Sequence, residues 1–399
     1  MAASRKTSGL EQYLLRGKLR VEGFERWRYS FCGVSRFTGS EKRFFIEMYL
    51  VNPSVSPNVA VIAQKTRTFV GETEADVQNA LVGGSSYGGR YSGQDIVVKP
   101  SYVLIKAGVF GAGGKQMNSF VASSHLDYTR SSASFRAGGC EFSAEALVGS
   151  VSVSASDIRV RPEILCNEGT MEWDLRYDRK EMCREQEVLF GNSMYSWVPL
   201  GIGTMFSGRV VLDGEEYSVE PMKSFGFIDK SWGQKFGDSY FHLASGRITS
   251  IITGKPLEKS FFSVDGEFGS KKCLSGVISI GEWKFKLGGL FGCMGGMKER
   301  HDCIQVPANE SAEKLHWTIC VEQGNTVLDL DVFCDTSEMF VRSYELPQRN
   351  RELMQILGGG TGVGEIRIYK KVGGNLELLE HAKFVDTICE FGQNDTSAQ

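Results

Sequence analysis

Residues 225 to 236, FGFIDKSWGQKF, place a carboxyl group, an amine, a hydroxyl and an indole between phenylalanines. Side chains of a β-strand point alternately to its two faces, so Phe225, Phe227 and Asp229 would share one face and Lys230 would lie on the other. Burial among aromatic rings favours the neutral form of a carboxyl group, which is the form that donates a proton. The stretch therefore predicts that Asp229 is a general acid, provided that Lys230 points away from it.

A purely structural interpretation of the same residues is equally open. Asp229 and Lys230 would then form an ion pair that stabilises a turn, Trp232 would fill the core, and Gly233 would supply a positive φ. The residues alone do not separate these two interpretations.

The elements that would position Asp229 are β-strands. Forty-seven glycines, 25 phenylalanines and short alternating runs indicate a β-rich chain with many tight turns. The clearest helix signal covers residues 71 to 84. Turn dipeptides between alternating runs predict hairpins at Asp213-Gly214, Asp265-Gly266 and Gly373-Gly374. Hairpins in both halves of the chain favour an antiparallel all-β protein.

The composition gives no support for a highly charged partner. In 399 residues, 45 Lys and Arg face 48 Asp and Glu, which gives no electrostatic reason to expect nucleic acid or an anionic membrane. No apolar run has the roughly 18 residues of a transmembrane helix or the character of a signal peptide. Ten scattered cysteines without a Cys-x-x-Cys pair are typical of reduced thiols. We expect a cytoplasmic protein whose membrane contact, for substrate uptake, is at most transient.

Other motifs indicate no particular chemistry. The run GGGTGVG, residues 358 to 364, would need a following helix to bind phosphate, but the strand-like EIRIYKK follows, which favours a glycine-rich strand connection. The five histidines show no paired spacing for a metal, and the sequence has no G-x-S-x-G elbow. We therefore predict neither a metal site nor a cofactor.

The segment SFGFIDKSWGQKFGDSYFHLASGRI resembles the tocopherol cyclase family, in which an acid is followed by Lys, a small polar residue, Trp and Gly. Further resemblance lies in WVPLGIGTMFSGRVVLDGEEYSVEP upstream, in GGGTGVGEIRIYKK and TICEFG near the C-terminus, and in EGFERWRYSF near the N-terminus. The chain departs from the family at Asp229, where Glu is usual, at Ser231, where Asn is usual, and at Phe227, where Tyr is frequent.

This resemblance implies a wider lipocalin-like group that includes hydroxyneurosporene-type carotenoid hydratases and fungal Diels-Alder cyclases. It implies two consecutive lipocalin-like antiparallel β-barrel or sandwich domains with few short helices, and an apolar ligand site between or within them. The expected ranges are an N-terminal extension (1–18), two β-domains (19–200 and 201–392) and a disordered tail (393–399).

The resemblance also defines a predicted site. Asp229 takes the role of proton donor because it matches the acid of the hydratases' Trp-Gly segment, with Lys230, Trp232 and Glu22 as supporting residues. Aromatic side chains suit an apolar small-molecule ligand with a polar edge. The predicted substrate-binding residues are Phe225, Phe227, Trp27, Tyr29, Trp197, Tyr240 and His242.

The leading functional hypothesis is a tocopherol cyclase-like isomerase that protonates an alkene of an apolar prenylated phenol, quinol or polyene. An internal hydroxyl would trap the carbocation in a cyclase, whereas water would trap it in a hydratase, so exclusion of water decides the product. Two alternatives stay open: a non-catalytic carrier of lipids or isoprenoids, and a Diels-Alder cyclase that holds its substrate in a reactive conformation. The fold alone does not decide among them.

Overall fold

The computed structural model describes residues 12–55, 100–129, 134–160, 166–179, 195–237, 239–268, 273–288, 297–307, 313–348 and 353–393. The predicted helix at residues 71 to 84 lies outside the described residues, as do most of the N-terminal extension and all but the first residue of the predicted tail.

Within these ranges the N-terminal half forms one antiparallel sheet of twelve strands. Along the sheet their order is β4-β3-β2-β1-β11-β10-β9-β8-β7-β6-β5, and β12 pairs with β1 and β10. The strands are β1 (Phe24–Ser35), β2 (Glu41–Val51), β3 (Tyr102–Val109), β4 (Lys115–Ala122), β5 (Asp127–Thr129), β6 (Ser134–Ala137), β7 (Cys140–Phe142), β8 (Ala146–Val153), β9 (Gly169–Asp178), β10 (Tyr195–Leu212), β11 (Glu215–Val219) and β12 (Gly226–Gly233).

The C-terminal half forms a second antiparallel sheet, with eleven strands among the described residues. Their order is β17-β16-β15-β13-β23-β22-β20-β19-β18, with β14 paired to β23 and β21 paired to β22. The strands are β13 (Ser239–Ser245), β14 (Arg247–Ser250), β15 (Phe261–Glu267), β16 (Cys273–Ile280), β17 (Trp283–Leu287), β18 (Lys298–Val306), β19 (Lys314–Gln323), β20 (Thr326–Asp335), β21 (Phe340–Glu345), β22 (Leu353–Val372) and β23 (Asn375–Gln393).

Helix is minor in the described part of the chain. One α-helix, α1 (Ala155–Val160), lies between β8 and β9. Short 3-10 turns cover Gly17–Arg20, Ser123–His125, Pro221–Lys223 and Thr336–Glu338. No helix among the described residues is both long and apolar enough to cross a bilayer. The prediction of an all-β protein with two antiparallel β-domains and few short helices is confirmed.

Two of the three predicted hairpins form. Asp213 and Gly214 join β10 to β11 with φ values of 49° and 85°, and the turn at residues 373 and 374 joins β22 to β23. The hairpin predicted at Asp265-Gly266 is wrong, because both residues lie inside β15, where they pair with β13 and β16. A methyl group on Gly266 would lie 2.3 Å from the Phe241 ring, so close packing and not a turn explains this glycine.

The change from the first sheet to the second occurs later than the sequence suggested. Residue 200 lies within β10, which pairs with β9, β11 and β12 of the first sheet. Strand β12 also pairs with β1, so the second sheet begins only after Gly233, at Ser239. Backbone pairing therefore places the segment GFIDKSWG, residues 226 to 233, in the N-terminal domain.

Each sheet encloses its own apolar core, and alternation along the strands decides which residues enter it. On β1, Trp27, Tyr29 and Phe31 point into the first core. Arg26 and Arg28 occupy the intervening positions and are nevertheless buried, because the second sheet covers this outer face of the first. The contact between the two sheets is called the domain junction below.

Candidate active site at the domain junction

Strand β12 separates Asp229 from Lys230. Lys230 points into the N-terminal domain, where its Nζ lies 2.8 Å from Glu25 Oε1, donates to the Gln12 carbonyl at 2.5 Å and lies 4.4 Å from the Trp27 ring centroid. Burial lowers the pKa of Lys230 to about 8, although Glu25 acts in the opposite direction. The Asp229–Lys230 ion pair that the structural interpretation required therefore does not form.

Asp229 points into the domain junction and is held there as a hydrogen-bond acceptor. Arg28 donates from Nε to Oδ1 at 2.9 Å and from Nη2 to Oδ2 at 2.5 Å, and Trp197 Nε1 donates to Oδ2 at 2.8 Å. Two parallel bonds from one guanidinium form the strongest common geometry between Arg and a carboxylate. Every one of these contacts comes from an N–H donor, so none of them accepts an acidic proton from Asp229.

Glu390, on β23 of the second domain, joins the two domains. Its carboxylate accepts from Arg26 Nη2 at 2.8 Å and from Arg28 Nη1, both of which belong to the first domain. Tyr240 Oη also donates to it at 3.2 Å. Burial acts to raise the pKa of Glu390, but Arg26, Arg28 and His242 lower it well below its usual range. Glu390 is therefore a buried carboxylate bound to two arginines.

His242 lies next to Glu390 on the neighbouring strand and is 1% exposed. Its Nε2 is 2.7 Å from Asp265 Oδ1 and 3.1 Å from Tyr195 Oη, while its Nδ1 is 3.5 Å from Glu390 Oε1. Burial acts to lower the pKa of His242, but the carboxylates of Asp265 and Glu390 raise it above its ordinary value. The surroundings of His242 thus favour a protonated imidazole away from water.

The registers of both sheets arrange these charges in two facing rows. In the first sheet, charges of alternating sign lie at cross-strand positions on four neighbouring strands: Asp229 on β12, Arg28 on β1, Glu47 on β2 and Lys106 on β3. In the second sheet, His242 lies between Asp265 and Glu390 on β15, β13 and β23. Opposite charges at cross-strand positions attract. Arg28 and Glu390 connect the two rows directly.

A second set of contacts crosses the junction beside the first. Arg342 Nη1 donates to Glu47 Oε2 at 3.0 Å, and Tyr344 Oη donates to Glu47 Oε1 at 2.6 Å. Lys106 Nζ donates to Asn118 Oδ1 at 3.3 Å and lies 5.2 Å from the Tyr344 ring centroid. We call the charged residues of the two rows, together with Arg26 and Arg342, the junction network. Its members are Arg26, Arg28, Glu47, Lys106, Asp229, His242, Asp265, Arg342 and Glu390.

Apolar side chains from both domains border the junction network. Its edge contains Trp197, whose indole stacks on His242 with ring centroids 4.8 Å apart and donates to Asp229. The ring centroid of Phe227 lies 6.0 Å from the guanidinium carbon of Arg28. We call this group the Phe227 cluster, and its buried members are Phe45, Phe110, Trp197, Ile202, Phe227, Ala244, Phe261, Val277 and Ile388.

The structure brings four of the predicted aromatic residues together at the junction. Phe227 and Trp197 belong to the Phe227 cluster, whereas Tyr240 and His242 contact Glu390. Phe225 does not continue the strand, because it precedes β12 with a φ of 40° and packs against Arg247, whose guanidinium carbon is 4.6 Å from its ring centroid.

The other predicted residues lie elsewhere. Trp27, Tyr29 and Trp232 pack with the first core, on the opposite side of the sheet from Asp229. Glu22 lies before β1 and pairs with Lys18 at 3.1 Å, so it does not orient Asp229. Among the described residues, the carboxylate paired with Lys230 is that of Glu25 and not that of the predicted Glu22.

Sequence reasoning missed most of the charged members of the junction network. Arg26 and Arg28 lie in the EGFERWRYSF segment and Glu390 lies in the TICEFG segment, but none of the three is among the predicted site residues. Local sequence offers no signal for them, because charged residues that alternate with large apolar ones ordinarily indicate a strand with one solvated face, whereas β1 and β2 are buried on both faces.

Two further features of the described residues lie outside the network. Cys32, Glu41 and Asp386 offer ligand atoms within 4.8 Å of one another, but Arg247 pairs with both carboxylates and Arg43 donates to Cys32 Sγ at 3.3 Å, so cations already occupy these groups. A surface depression of about 510 Å³ on β18 to β22 is lined mainly by polar residues, including Arg300, Asp302, Asp329, Asp331 and Arg367. It differs from the aromatic cavity that the sequence predicted.

Comparison with known proteins gives structural neighbours only. No family model and no curated protein matches the chain. A solved structure described provisionally as AttH from Nitrosomonas europaea has 9% identity and a TM-score of 0.45, covering 92% of this chain and 91% of that one. Kievitone hydratase from Nectria haematococca has 11% identity and a TM-score of 0.47, covering 98% and 94%. At these values the similarity carries no information about the reaction of this protein.

Proposed function

We propose that the protein is an enzyme that protonates an electron-rich double bond of an apolar substrate held at the domain junction, and thereby cyclises or hydrates it. The observation that supports this most is His242, a buried imidazole flanked by two carboxylates at the edge of the apolar Phe227 cluster. A general acid needs a proton at the operating pH and a site without competing water. Both conditions fit His242.

In this proposal His242 replaces Asp229 as the proton donor. The Nδ1 of His242 lies 3.5 Å from Glu390 and has no well-directed hydrogen bond within the described residues, so its proton is the one available to a substrate. Asp229 instead fixes Trp197 and Arg28 by accepting from both. Its role is to position the aromatic wall of the site.

The reaction balances without a further reactant in the cyclase case. The proton of His242 Nδ1 adds to one alkene carbon, and a carbocation forms on the other. A hydroxyl of the same substrate then bonds to the cationic carbon, and its proton returns to the imidazole. In the hydratase case a water molecule supplies both the oxygen and the returning proton. A tocopherol cyclase-like reaction on a prenylated quinol is one member of this class.

A carrier without catalytic activity is the second candidate function, and the closure of the junction favours it. Asp229, Glu390 and His242 are each at most 2% exposed and are paired, as expected for a network whose purpose is to hold two domains together. In a carrier, removing the imidazole would change stability but would have no reaction to slow.

The two candidates are separated by mass spectrometry of small molecules extracted from the purified protein, followed by turnover assays on the compound found. We expect His242→Gln to lower the rate about 100- to 10,000-fold, the usual contribution of a general acid. His301→Gln is the matched control, because His301 is also a buried histidine of the second domain but hydrogen-bonds the Glu267 carbonyl away from the network. Equal rates in both variants would contradict the proposal.

A further inference from the structure

Arg342 is completely buried but leaves one edge of its guanidinium group without an acceptor. Nη1 donates to Glu47 at 3.0 Å, whereas Nε and Nη2 have no hydrogen-bond partner among the described residues. The side chain is 0% exposed, so bulk solvent does not reach these two donors. Buried N–H donors without acceptors are rare and costly, particularly on a charged group. The free edge of Arg342 therefore requires an explanation.

Arg28 shows which group fits such an edge. It donates from the same two atoms, Nε and Nη2, to the two oxygens of Asp229 at 2.9 and 2.5 Å. The spacing of these donors matches the two oxygens of one carboxylate, and a single hydroxyl or carbonyl oxygen cannot satisfy both equally well. The corresponding edge of Arg342 is thus suited to a second carboxylate.

The charges around Arg342 favour the same ligand. Lys106 is 1% exposed and lies opposite Glu47 in the register of β2 and β3, while Glu47 is already paired with Arg342. Burial lowers the pKa of Lys106 to about 8 although Glu47 opposes this, which indicates that the ammonium is poorly compensated. An additional negative charge beside Arg342 would stabilise both side chains.

The guanidinium of Arg342 also contacts the apolar Phe227 cluster. The rings of Phe45 and Phe110 have their centroids 4.4 and 5.1 Å from the guanidinium carbon. On another side, a methyl group at Gly358 would be only 3.1 Å from Arg342 Nε. A side chain at position 358 would therefore crowd Nε, and a glycine avoids this contact.

We propose that Arg342 binds the carboxylate of the substrate, and that the substrate is an amphipathic organic acid whose apolar body lies along the Phe227 cluster. This inference rests on the proposed function, because it assigns the substrate class of the same junction site. The rings of Phe45 and Phe110 lie over the guanidinium of Arg342 and would form the apolar side of the carboxylate site. Lys106 contributes charge without a direct contact.

The test compares cis-parinaric acid, a fluorescent polyene carboxylic acid, with its methyl ester in titrations of the full-length protein at pH 7. The two probes share the apolar body and differ in the carboxylate. We expect the acid to bind roughly ten- to a hundredfold more tightly, as two charge-assisted hydrogen bonds predict. Arg342→Met should remove this preference while leaving the affinity for the ester nearly unchanged.

Gly358→Ala provides a second variant that keeps the charge of Arg342. Its methyl group would obstruct Nε, and the φ of Gly358 lies outside the left-handed region, so alanine is compatible with the backbone. We expect it to reduce the preference for the acid at least severalfold. Arg209→Met, at an exposed position of β10, serves as the control and should keep the full preference. If Arg342→Met does not fold, Gly358→Ala decides the question.

Three results would overturn the carboxylate site: equal binding of acid and ester, a preference that survives in both variants, or no binding of either probe up to about 1 mM. These outcomes are distinct from failure of the proposed function. Loss of turnover in His242→Gln without a preference for the acid removes the carboxylate site and keeps the proton donor. A preference for the acid with undiminished turnover in His242→Gln does the reverse.

Discussion

Replacing Arg28 by methionine is expected to be among the most destabilising single changes at the domain junction. Arg28 is 2% exposed and forms two hydrogen bonds to Asp229 and an ion pair with Glu390. Methionine fills a similar volume without donors. Among the described residues, Asp229 would then keep only the indole of Trp197 as a donor, and Glu390 would keep Arg26 but lose Arg28. Both carboxylates would stay buried.

The size of the effect follows from the charges left behind. Removing one partner of a buried ion pair typically costs about 3 to 5 kcal/mol, because the remaining charge is uncompensated. Asp229→Asn should cost less, about 1 to 3 kcal/mol, since Arg28 keeps Glu390 and asparagine keeps one acceptor oxygen. The order of the two variants is the specific prediction, and it depends on Arg28 serving two carboxylates.

Urea unfolding followed by tryptophan fluorescence measures both variants, because Trp197 donates a hydrogen bond to Asp229 at the edge of the junction network. Arg209→Met, on the exposed face of β10, should change the free energy of unfolding by no more than about 0.5 kcal/mol. The reasoning is refuted if Arg28→Met is as mild as this control, or if Asp229→Asn is the more destabilising of the two. The double variant should then cost less than the sum of the single changes, since both remove the same bonds.

Three further predictions concern pH and packing. Because the pKa of His242 is raised in the folded state, protonation of His242 stabilises the fold. This contribution is complete below the ordinary value of 6.5 and is lost as pH rises through the higher folded-state value. His242→Gln should lack this pH-dependent part of the free energy of unfolding in curves measured from pH 5 to 9. Lys106 has a folded-state pKa of about 8 against an ordinary value of 10.5, so between these values the folded state binds fewer protons than the unfolded state. The contribution of Lys106 to stability therefore rises with pH in this range. Lys106→Met should show a flatter dependence of stability on pH between 8 and 10.5. Gly364→Ala should lower the melting temperature sharply or prevent folding, because its methyl group would lie 1.9 Å from the Asp331 carbonyl oxygen in the neighbouring strand; a melting temperature equal to that of the unchanged protein would contradict the packing of β22.

The sequence by itself determined the class of the fold and which side chains of β12 share a face. Alternation along residues 225 to 236 predicted that Asp229 and Lys230 point in opposite directions, and the structure places them on opposite sides of β12. The same local reasoning found the turn at Asp213-Gly214, because a two-residue hairpin depends only on its own φ angles. It failed at residue 266, where the glycine accommodates the Phe241 ring of a neighbouring strand.

Only the tertiary structure decided which charges meet. Arg28 and Asp229 are 201 residues apart, and Arg28 and Glu390 are 362 apart. Their contacts depend on the register of β1 against β12 and on the packing of one sheet on the other, and a shift by one residue would turn every side chain to the opposite face. The local sequence does not specify that register. It could therefore place Asp229 on a buried face, but it could not show that Arg28 holds the carboxylate or that His242 is the buried imidazole between two acids.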